Sequence, residues 1–348
     1  MTTEAQPAAD ARLAHLRAAW IHGENLAALV LFSVLAIVPL LIGGYAIYIL
    51  PQYMLLGVLA MSLAILWGYA GIVSFGQAAF FAIGAYSIGL VMKYATLPIN
   101  PAYAGILVGT AGATVAALII GYFLFSAGVR STYFVVATLA LSIIVEQTVK
   151  SFSNITGGWN GLYVDRMTLT LGSLFELSLF DDVPMYYVIL IVVVIVYFFT
   201  AAIMRSPFGR IVIGVRENEG RMLALGFDVP AYKTLVFGLS GLLAGLAGSF
   251  YATHANFAHP SNAGVLFSTQ VVIWVAIGGR RSLLGAFAGA ILVASLSNYL
   301  SSIKAIQNYW PLFQGLIFIA AIILFREGLA GLIDSLLRKL RHGRTAQN

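Results

Sequence analysis

The sequence predicts an all-α polytopic membrane protein, a bundle of about ten transmembrane helices with both termini in the cytoplasm. Of its 348 residues, 60% are hydrophobic and only 9% are charged, and the mean hydropathy is +0.93. Soluble domains carry roughly 25% charged residues, so a soluble fold of this length would leave much of its apolar surface in water. The length suits one polytopic domain without a second, soluble one.

Apolar segments recur along the chain, and about 20 residues of helix are needed to cross the hydrocarbon layer. Two of these segments, 78–93 and 268–279, are short and rich in glycine. They are candidates for broken or re-entrant helices, so an eight-span bundle is an alternative. The predicted spans are 27–50, 54–73, 78–93, 103–127, 133–150, 185–204, 234–253, 268–279, 283–303 and 312–326.

Basic residues favour the cytoplasmic side of a membrane, which predicts the orientation. With the N-terminus inside, fifteen of the nineteen Lys and Arg residues fall in inside segments, and four (Lys93, Lys150, Arg166 and Lys304) fall outside. The predicted parts are a cytoplasmic segment 1–26, a transmembrane domain 27–326 with an outer loop 151–184 and a cytoplasmic loop 205–233, and a basic cytoplasmic tail 327–348.

Glycine is abundant, with 35 residues. Pairs four residues apart, such as Gly241/Gly245 and Gly285/Gly289, let helix backbones approach closely in lipid. We expect most of these glycines to serve helix packing, and a few to mark breaks in the backbone.

Several classes of function lack the residues that they require. The chain has no cysteine, and no glycine precedes any of its five lysines, so the phosphate-binding loop of ATPases is missing. His254 and His259 make a poor metal site without a further ligand. No nucleophile–base pair and no cofactor are predicted, so we do not expect an enzyme. The net charge of +6 follows the topology and does not indicate nucleic-acid binding.

Charge is almost missing from the predicted spans. Glu146 lies clearly inside one, and Lys150 follows one turn later on the same helix face, where a local salt bridge is favoured over a proton relay. A membrane protein without a charge relay or a nucleotide site is either a passive channel or the membrane part of a larger machine.

One polar link interrupts an otherwise apolar region. The stretch Gly68-Tyr-Ala-Gly-Ile-Val-Ser74-Phe-Gly-Gln77 ends one span and begins the next. A break of this kind persists in a membrane only where protein or a watery cavity satisfies the backbone, and free amides at the new helix start attract carboxylates. Ser74 and Gln77 in this link, together with Thr138 in a later span, are the predicted pathway-facing residues, and a tight cytoplasmic turn is the alternative for the link.

The loop 205–233 is long, charged and helix-forming. Pro207 suits a first helical turn, the run from Arg210 to Leu225 predicts one helix, and Gly226 is a helix stop. Four apolar residues at helical spacing predict a docking face; they are Phe208, Ile211, Val212 and Val215. A helix lying on the membrane surface is the alternative, although Glu217 and Glu219 would be repelled by anionic headgroups.

Five segments together resemble the permeases of branched-chain amino acid ATP-binding cassette (ABC) importers, in particular the LivM-type subunit. They are 68–86; Arg130-Ser-Thr-Tyr-Phe with Thr138-Leu139; Thr156-Gly-Gly-Trp-Asn-Gly-Leu162; Arg205-Ser-Pro-Phe-Gly-Arg210 with Arg216-Glu-Asn-Glu219 and Ala224-Leu-Gly226; and Gly278-Gly279 with Ser282-Leu-Leu-Gly285. The chain departs from the family pattern at Gln77, Ser131 and Arg280-Arg281.

The resemblance implies a bacterial inner-membrane protein that forms half of a translocation pathway with a second, related permease. It also implies two cytoplasmic ATPases and an extracytoplasmic solute-binding protein as partners. By the same resemblance the loop contacts the ATPase, through Arg205, Phe208, Arg210, Arg216, Glu217, Glu219 and Gly226. The alternatives are a permease for urea or short-chain amides, a passive channel for a small solute, and, with least support, a membrane enzyme acting on lipid.

Overall fold

The computed structural model describes residues 24–95, 100–129, 131–171, 175–178 and 181–303, with a few later positions (312–313, 315–316 and 319). Most of the predicted segment 1–26, most of the predicted span 312–326 and the whole predicted tail 327–348 therefore lie outside the described residues. In chain order the helices are α1 Glu24–Leu41, α2 Tyr45–Ala64, α3 Gln77–Tyr94, α4 Pro101–Ser126, α5 Ser131–Ser151, α6 Ser153–Thr156, α7 Asp182–Arg205, α8 Pro207–Glu217, α9 Glu219–Ala224, α10 Val229–Ala255, α11 Val265–Gly278 and α12 Leu283–Ser301.

The protein is a polytopic helical membrane protein, as the sequence predicts. Within the described residues, seven helices are long and apolar enough to cross a membrane: α1, α2 with its continuation to Ala70, α4, α5, α7, α10 and α12. The two short spans of the sequence analysis correspond to α3 and to α11, which has only 14 residues. Both lie in the bundle as continuous helices, so neither is itself broken.

The predicted boundary between the first two spans is wrong. The predicted boundary lies at 51–53, whereas the chain breaks after Leu41 and resumes helix at Tyr45. Gly44 has φ +71°, a conformation that glycine adopts without steric cost, and it follows a second glycine. Pro51 lies inside α2, where a single missing hydrogen bond does not end the helix because neighbouring helices support it.

The centre of the bundle is α10, which packs against α4 and α3 through very small residues. A methyl group added to Gly248 would lie 1.9 Å from the carbonyl oxygen of Phe81, and one added to Gly84 would lie 2.0 Å from that of Gly245. These backbones are in direct contact, as in other membrane bundles with small residues at helix crossings. A methyl group on Gly241 would lie 2.4 Å from Ala117 Cβ and one on Gly245 2.4 Å from Ala113 Cβ, both on α4, so the predicted packing role of this pair is confirmed.

The helices α11 and α12 cross in the same way. A methyl group on Gly278 would lie 2.1 Å from the carbonyl oxygen of Gly285, and one on Gly289 would lie 2.6 Å from Trp274 O. The Gly285/Gly289 pair therefore also serves packing, and α12 is held against α2 as well.

Two small antiparallel strand pairs occupy the loops opposite the α8–α9 segment. Strand β1 (Leu162–Tyr163) pairs with β4 (Phe257–Ala258), and β2 (Thr168–Leu171) pairs with β3 (Phe175–Ser178). The hydroxyl of Tyr86 on α3 donates to Ala258 O at 3.0 Å. The pairing of β1 with β4 therefore joins the loop after α5 to the loop after α10 and fastens both to the bundle.

Candidate functional site

The polar link between α2 and α3 is a true break in the helix. The end of α2 widens into a π-helical turn, Ile65–Ala70, and Gly71 then turns the chain with φ +73°. Residues 71–76 are not helical, and α3 begins at Gln77. Because Phe75 contacts Ser142, near the middle of α5, the link runs back into the bundle instead of turning at its end.

The backbone of Phe75 is held by three side chains from distant helices. Its N–H donates to Thr138 Oγ1 at 3.1 Å, and its carbonyl oxygen accepts from Ser142 Oγ at 2.7 Å and Ser268 Oγ at 2.5 Å. The two serine hydroxyls are 3.1 Å apart. Polar backbone inside a membrane protein must be satisfied by protein or water, and here hydroxyls satisfy it. We call Thr138, Ser142 and Ser268 the Phe75 clamp.

The three predicted pathway residues all lie at this break, and all are buried. Ser74 Oγ accepts from Gly76 N at 3.1 Å, and Thr138 belongs to the Phe75 clamp. Gln77 Oε1 accepts from Ser62 Oγ at 2.9 Å and Ser240 Oγ at 3.0 Å, which join α3 to α2 and α10. The Nε2 of Gln77 has no hydrogen-bond partner among the described residues. The structure brings these residues together, and their role in a pathway stays a prediction.

Four serines of this region were not among the predicted site residues. Ser62, Ser142, Ser240 and Ser268 each stand in an apolar span, where a hydroxyl needs a partner. Their isolation in apolar runs was an available signal, but which backbone they reach depends on how the helices pack.

The predicted single helix from Arg210 to Leu225 is wrong, because the chain breaks at Asn218. This residue is extended (φ −158°), and its side chain accepts from Arg221 N at 2.9 Å, which caps α9. Asparagine is favoured at such caps because its oxygen satisfies an amide at the helix start. Gly226 follows α9 with φ +85°, so the predicted helix stop is confirmed.

The predicted apolar docking face on α8 is already used by the chain itself. Val212 and Val215 are buried, and the ring of Phe208 packs 5.8 Å from that of Tyr232 at the start of α10. Val212 and Val215 therefore attach α8 to the bundle, whereas Phe208 and Ile211 are half-buried, and their contact with an ATPase stays a prediction. Arg205 is the last residue of α7. Arg210 is exposed, on the side of α8 away from the buried Val212 and Val215.

The free surface of this segment is instead on α9, which has no buried residue. Leu223 and Leu225 are 52% and 66% exposed. Glu219 pairs with Lys233 at 2.7 Å, which fixes the start of α9 to α10. We call residues 218–226 the α9 tip.

Arg216 connects this segment to the helix break. Its guanidinium donates to Gly68 O in the π-helical turn and also pairs with Glu217. Hydrogen bonding from Arg216 lowers the pKa of the Glu217 carboxyl below its ordinary value. The Cγ of Arg216 lies 2.7 Å from where a Cβ of Gly71 would stand, so only glycine fits there.

Near the C-terminal end of α5, Lys150 Nζ lies 2.6 Å from Glu146 Oε1 and 4.1 Å from the centre of the Trp159 ring. The predicted local salt bridge is therefore present. The His254 ring contacts the carbonyl oxygen of Tyr48 at 2.7 Å, and His259 contacts Ser261.

Comparison with known proteins identifies the family. Residues 45–322 match a family model described as the permease component of branched-chain amino acid transport systems. The LivM permease protein of the high-affinity branched-chain amino acid transport system of Escherichia coli (strain K12) is 27% identical over 291 residues, 76% of this chain. The alignment spans 66% of that protein's own length, just under two thirds.

Two further relatives show the breadth of the similarity. A probable branched-chain amino acid permease protein LivM of Methanocaldococcus jannaschii is 24% identical over 67% of this chain and 75% of its own length. The ribose import permease protein RbsC of Bacillus subtilis (strain 168) is 27% identical over 35% of this chain and 40% of its own. No solved structure matches the chain.

The matched region runs from the start of α2 past the end of α12, so it contains both the helix break and the α8–α9 segment. The resemblance read from the five sequence segments is confirmed at the level of the family. The chain, a multi-pass membrane protein, belongs to the family of permease components of branched-chain amino acid transport systems.

Proposed function

We propose that this chain is the membrane-spanning permease subunit of an ABC importer for branched-chain or related amino acids. It forms half of the translocation pathway, and separate ATPase subunits hydrolyse ATP for it. A second, related permease completes the pathway, and an extracytoplasmic binding protein delivers the solute.

The observation that carries this proposal is the α8–α9 segment. It is a folded, charged element between two spans, attached to the bundle by Val212 and Val215 and ending in the exposed α9 tip. Exposed leucines on a structured charged element are typical of a protein–protein contact. A passive channel has no use for such an element, whereas a permease driven by a cytoplasmic ATPase needs one.

The buried polar groups near the break support a solute pathway that uses hydroxyls and backbone in place of charges. The hydroxyls of the Phe75 clamp and the amide of Gln77 lie deep in the bundle, next to the start of α3. The amides at a helix start favour a carboxylate such as that of an amino acid. A neutral solute such as urea or a short amide would use the same hydrogen bonds, so the choice of substrate is a matter for measurement.

The first test is affinity purification of the chain from its native membrane in mild detergent, with identification of the proteins that co-purify. Stoichiometric amounts of two ATPases and a second permease support the proposal. A chain that purifies alone, or only with itself, contradicts it and favours the channel. Screening the associated binding protein with branched-chain amino acids, urea, short amides and ribose then assigns the substrate class.

The second test acts on the contact with the ATPase. The double substitution Glu217→Lys with Glu219→Lys reverses charge on this segment, and we expect it to uncouple transport without preventing insertion. Since both carboxylates pair within the chain, with Arg216 and Lys233, this variant also disturbs the attachment of α9. Retained substrate-stimulated ATPase activity in the double variant would refute the coupling role of the segment.

A further inference from the structure

Arg216 joins the α8–α9 segment to the helix break by a hydrogen bond, in addition to the packing of α8 against the π-helical turn. Arg216 leaves the last turn of α8 and reaches Gly68 O, a carbonyl in the π-helical turn that leads directly into the link 71–76. Its side chain is only 23% exposed, although Glu217 beside it is 65% exposed. A guanidinium is a planar donor that can bond two partners at once, which suits a bridge between two elements.

Around this bridge the packing is open. A cavity of about 370 Å³ lies between the link and the α8–α9 segment, lined among others by Gly71, Ile72, Val215 and Lys233. At Gly71 the packing is tight, because a Cβ there would lie 2.7 Å from Cγ of Arg216. Arg216 lines this cavity and forms the hydrogen bond between the last turn of α8 and the π-helical turn.

The other side of the π-helical turn is fixed. A Cβ on Gly68 would lie 1.7 Å from the carbonyl oxygen of Arg280, so this turn rests on the backbone of the 280–282 turn before α12. Ser282 in that turn donates to Glu24 at 2.8 Å, which adds α1 to the support. A force applied through Arg216 thus acts against this backbone contact, and the non-helical link beyond Gly71 leads from it to Phe75.

At its far end the link is held by the Phe75 clamp, whose bonds are side-chain hydrogen bonds from α5 and α11. Such bonds contribute little each and can be exchanged for others at low cost. Hydrogen bonds therefore hold the chain at both ends of the link. The Arg216 guanidinium bonds Gly68 O before it, and three side-chain hydroxyls bond Phe75 near its end.

We propose that Arg216 is a positioning residue that couples the α8–α9 segment to the interrupted helix, so that movement of α8 changes the conformation of residues 71–76. This inference rests on the proposed function, because the movement of α8 would be driven by the partner ATPase. Arg216 itself does not touch solute.

The test uses the complete transporter in liposomes, with Arg216→Gln as the main variant. Arg281→Gln is the matched control, since it removes an exposed arginine from the loop that supports Gly68. Arg216→Gln is expected to keep its ATPases and to hydrolyse ATP, but to transport at least about fivefold less solute per ATP, the lower end of coupling between sites. Arg216→Lys, which keeps the long stem and a cationic donor, is expected to restore part of this ratio.

The second readout follows the link directly. Because the chain has no cysteine, Val73→Cys places a single thiol in the link, where the side chain is half-buried. We expect its rate of modification by a methanethiosulfonate reagent to differ by at least about fivefold between the nucleotide-free and the vanadate-trapped transporter. The difference should persist with Arg281→Gln and disappear with Arg216→Gln.

The outcomes separate the two proposals. A parent chain that binds no ATPase refutes the proposed function and with it this inference. A working parent with an unchanged ratio and unchanged labelling in Arg216→Gln overturns the inference alone, as does a parent whose link shows no nucleotide-dependent labelling. Loss of ATPase binding in Arg216→Gln also overturns it, because Arg216 would then be a contact residue. If Arg216→Gln does not insert, Arg216→Lys decides: ratio and labelling equal to the parent overturn the inference, and intermediate values support it.

Discussion

The carbonyl oxygen of Phe75 has two serine donors, and this redundancy makes a quantitative prediction. Replacing either Ser142 or Ser268 by alanine leaves one hydroxyl on the carbonyl. Each single variant should therefore lose only about 0.6 kcal/mol, the average for a side-chain hydrogen bond in a membrane protein. The double variant leaves a buried carbonyl without a donor, which costs about 3 kcal/mol. The two changes should thus be non-additive by about 2 kcal/mol.

The measurement is a double-mutant cycle on the purified protein, with unfolding followed by circular dichroism as denaturing detergent replaces mild detergent. Ser295→Ala is the matched control, because its hydroxyl bonds a carbonyl of its own helix at 2.6 Å, and that carbonyl keeps its helical partner. A double variant whose loss equals the sum of the two single losses would show that Phe75 does not depend on these hydroxyls. The Phe75 clamp would then contribute no more than two independent hydrogen bonds.

Three further predictions concern other parts of the molecule. Gly248→Ala places a methyl group 1.9 Å from a backbone oxygen of α3, so it should lower the stability of the fold by about 3 kcal/mol and reduce the monodisperse fraction in size-exclusion chromatography. Gly112→Ala, whose methyl group would have nothing nearer than 3.8 Å, should do neither. Equal behaviour of the two variants would contradict close backbone packing at Gly248. The double substitution Leu223→Ser with Leu225→Ser should weaken ATPase binding at least about tenfold in a pull-down while insertion is normal, because apolar residues at the centre of a contact carry most of its binding energy. Unchanged binding would exclude the α9 tip as the docking surface. Because Arg216 lowers the pKa of Glu217, the ion pair should stabilise the fold above pH 4.5, the ordinary pKa, and this stabilisation should be lost as pH falls through the lowered pKa. The difference in stability between the parent and Glu217→Gln should therefore be constant above about pH 5 and vanish in acid. A difference that grows in acid would be inconsistent with the pair.

The sequence predicted well those features that depend on local composition. The spans 103–127 and 185–204 match α4 and α7 within a few residues, because long apolar runs flanked by polar residues leave little choice of boundary. The helix break at Ser74–Gln77 was also predictable, since polar residues between two apolar runs have few places to lie.

The sequence did not predict features that depend on which elements meet. The apolar spacing on α8 has the same pattern whether that face contacts another protein or the chain itself, and only the packing of Val212 and Val215 decides between them. Likewise, the bond from Ser268 to Phe75 spans 193 residues, and no local pattern marks it. The break at Asn218 was missed because a helix-forming run conceals a capping residue.

The pairing of β1 with β4 has a consequence for the order in which the protein is made. Strand β1 emerges from the ribosome before α7, and β4 emerges only after α10, so four helices must be synthesised between the two partners. The backbone bonds between Leu162 and Ala258 can therefore form only once α7 and α10 have both been threaded into the bilayer. Until then β1 has no partner strand and should be open to protease, so its protection during synthesis would report that insertion of the central helices is complete.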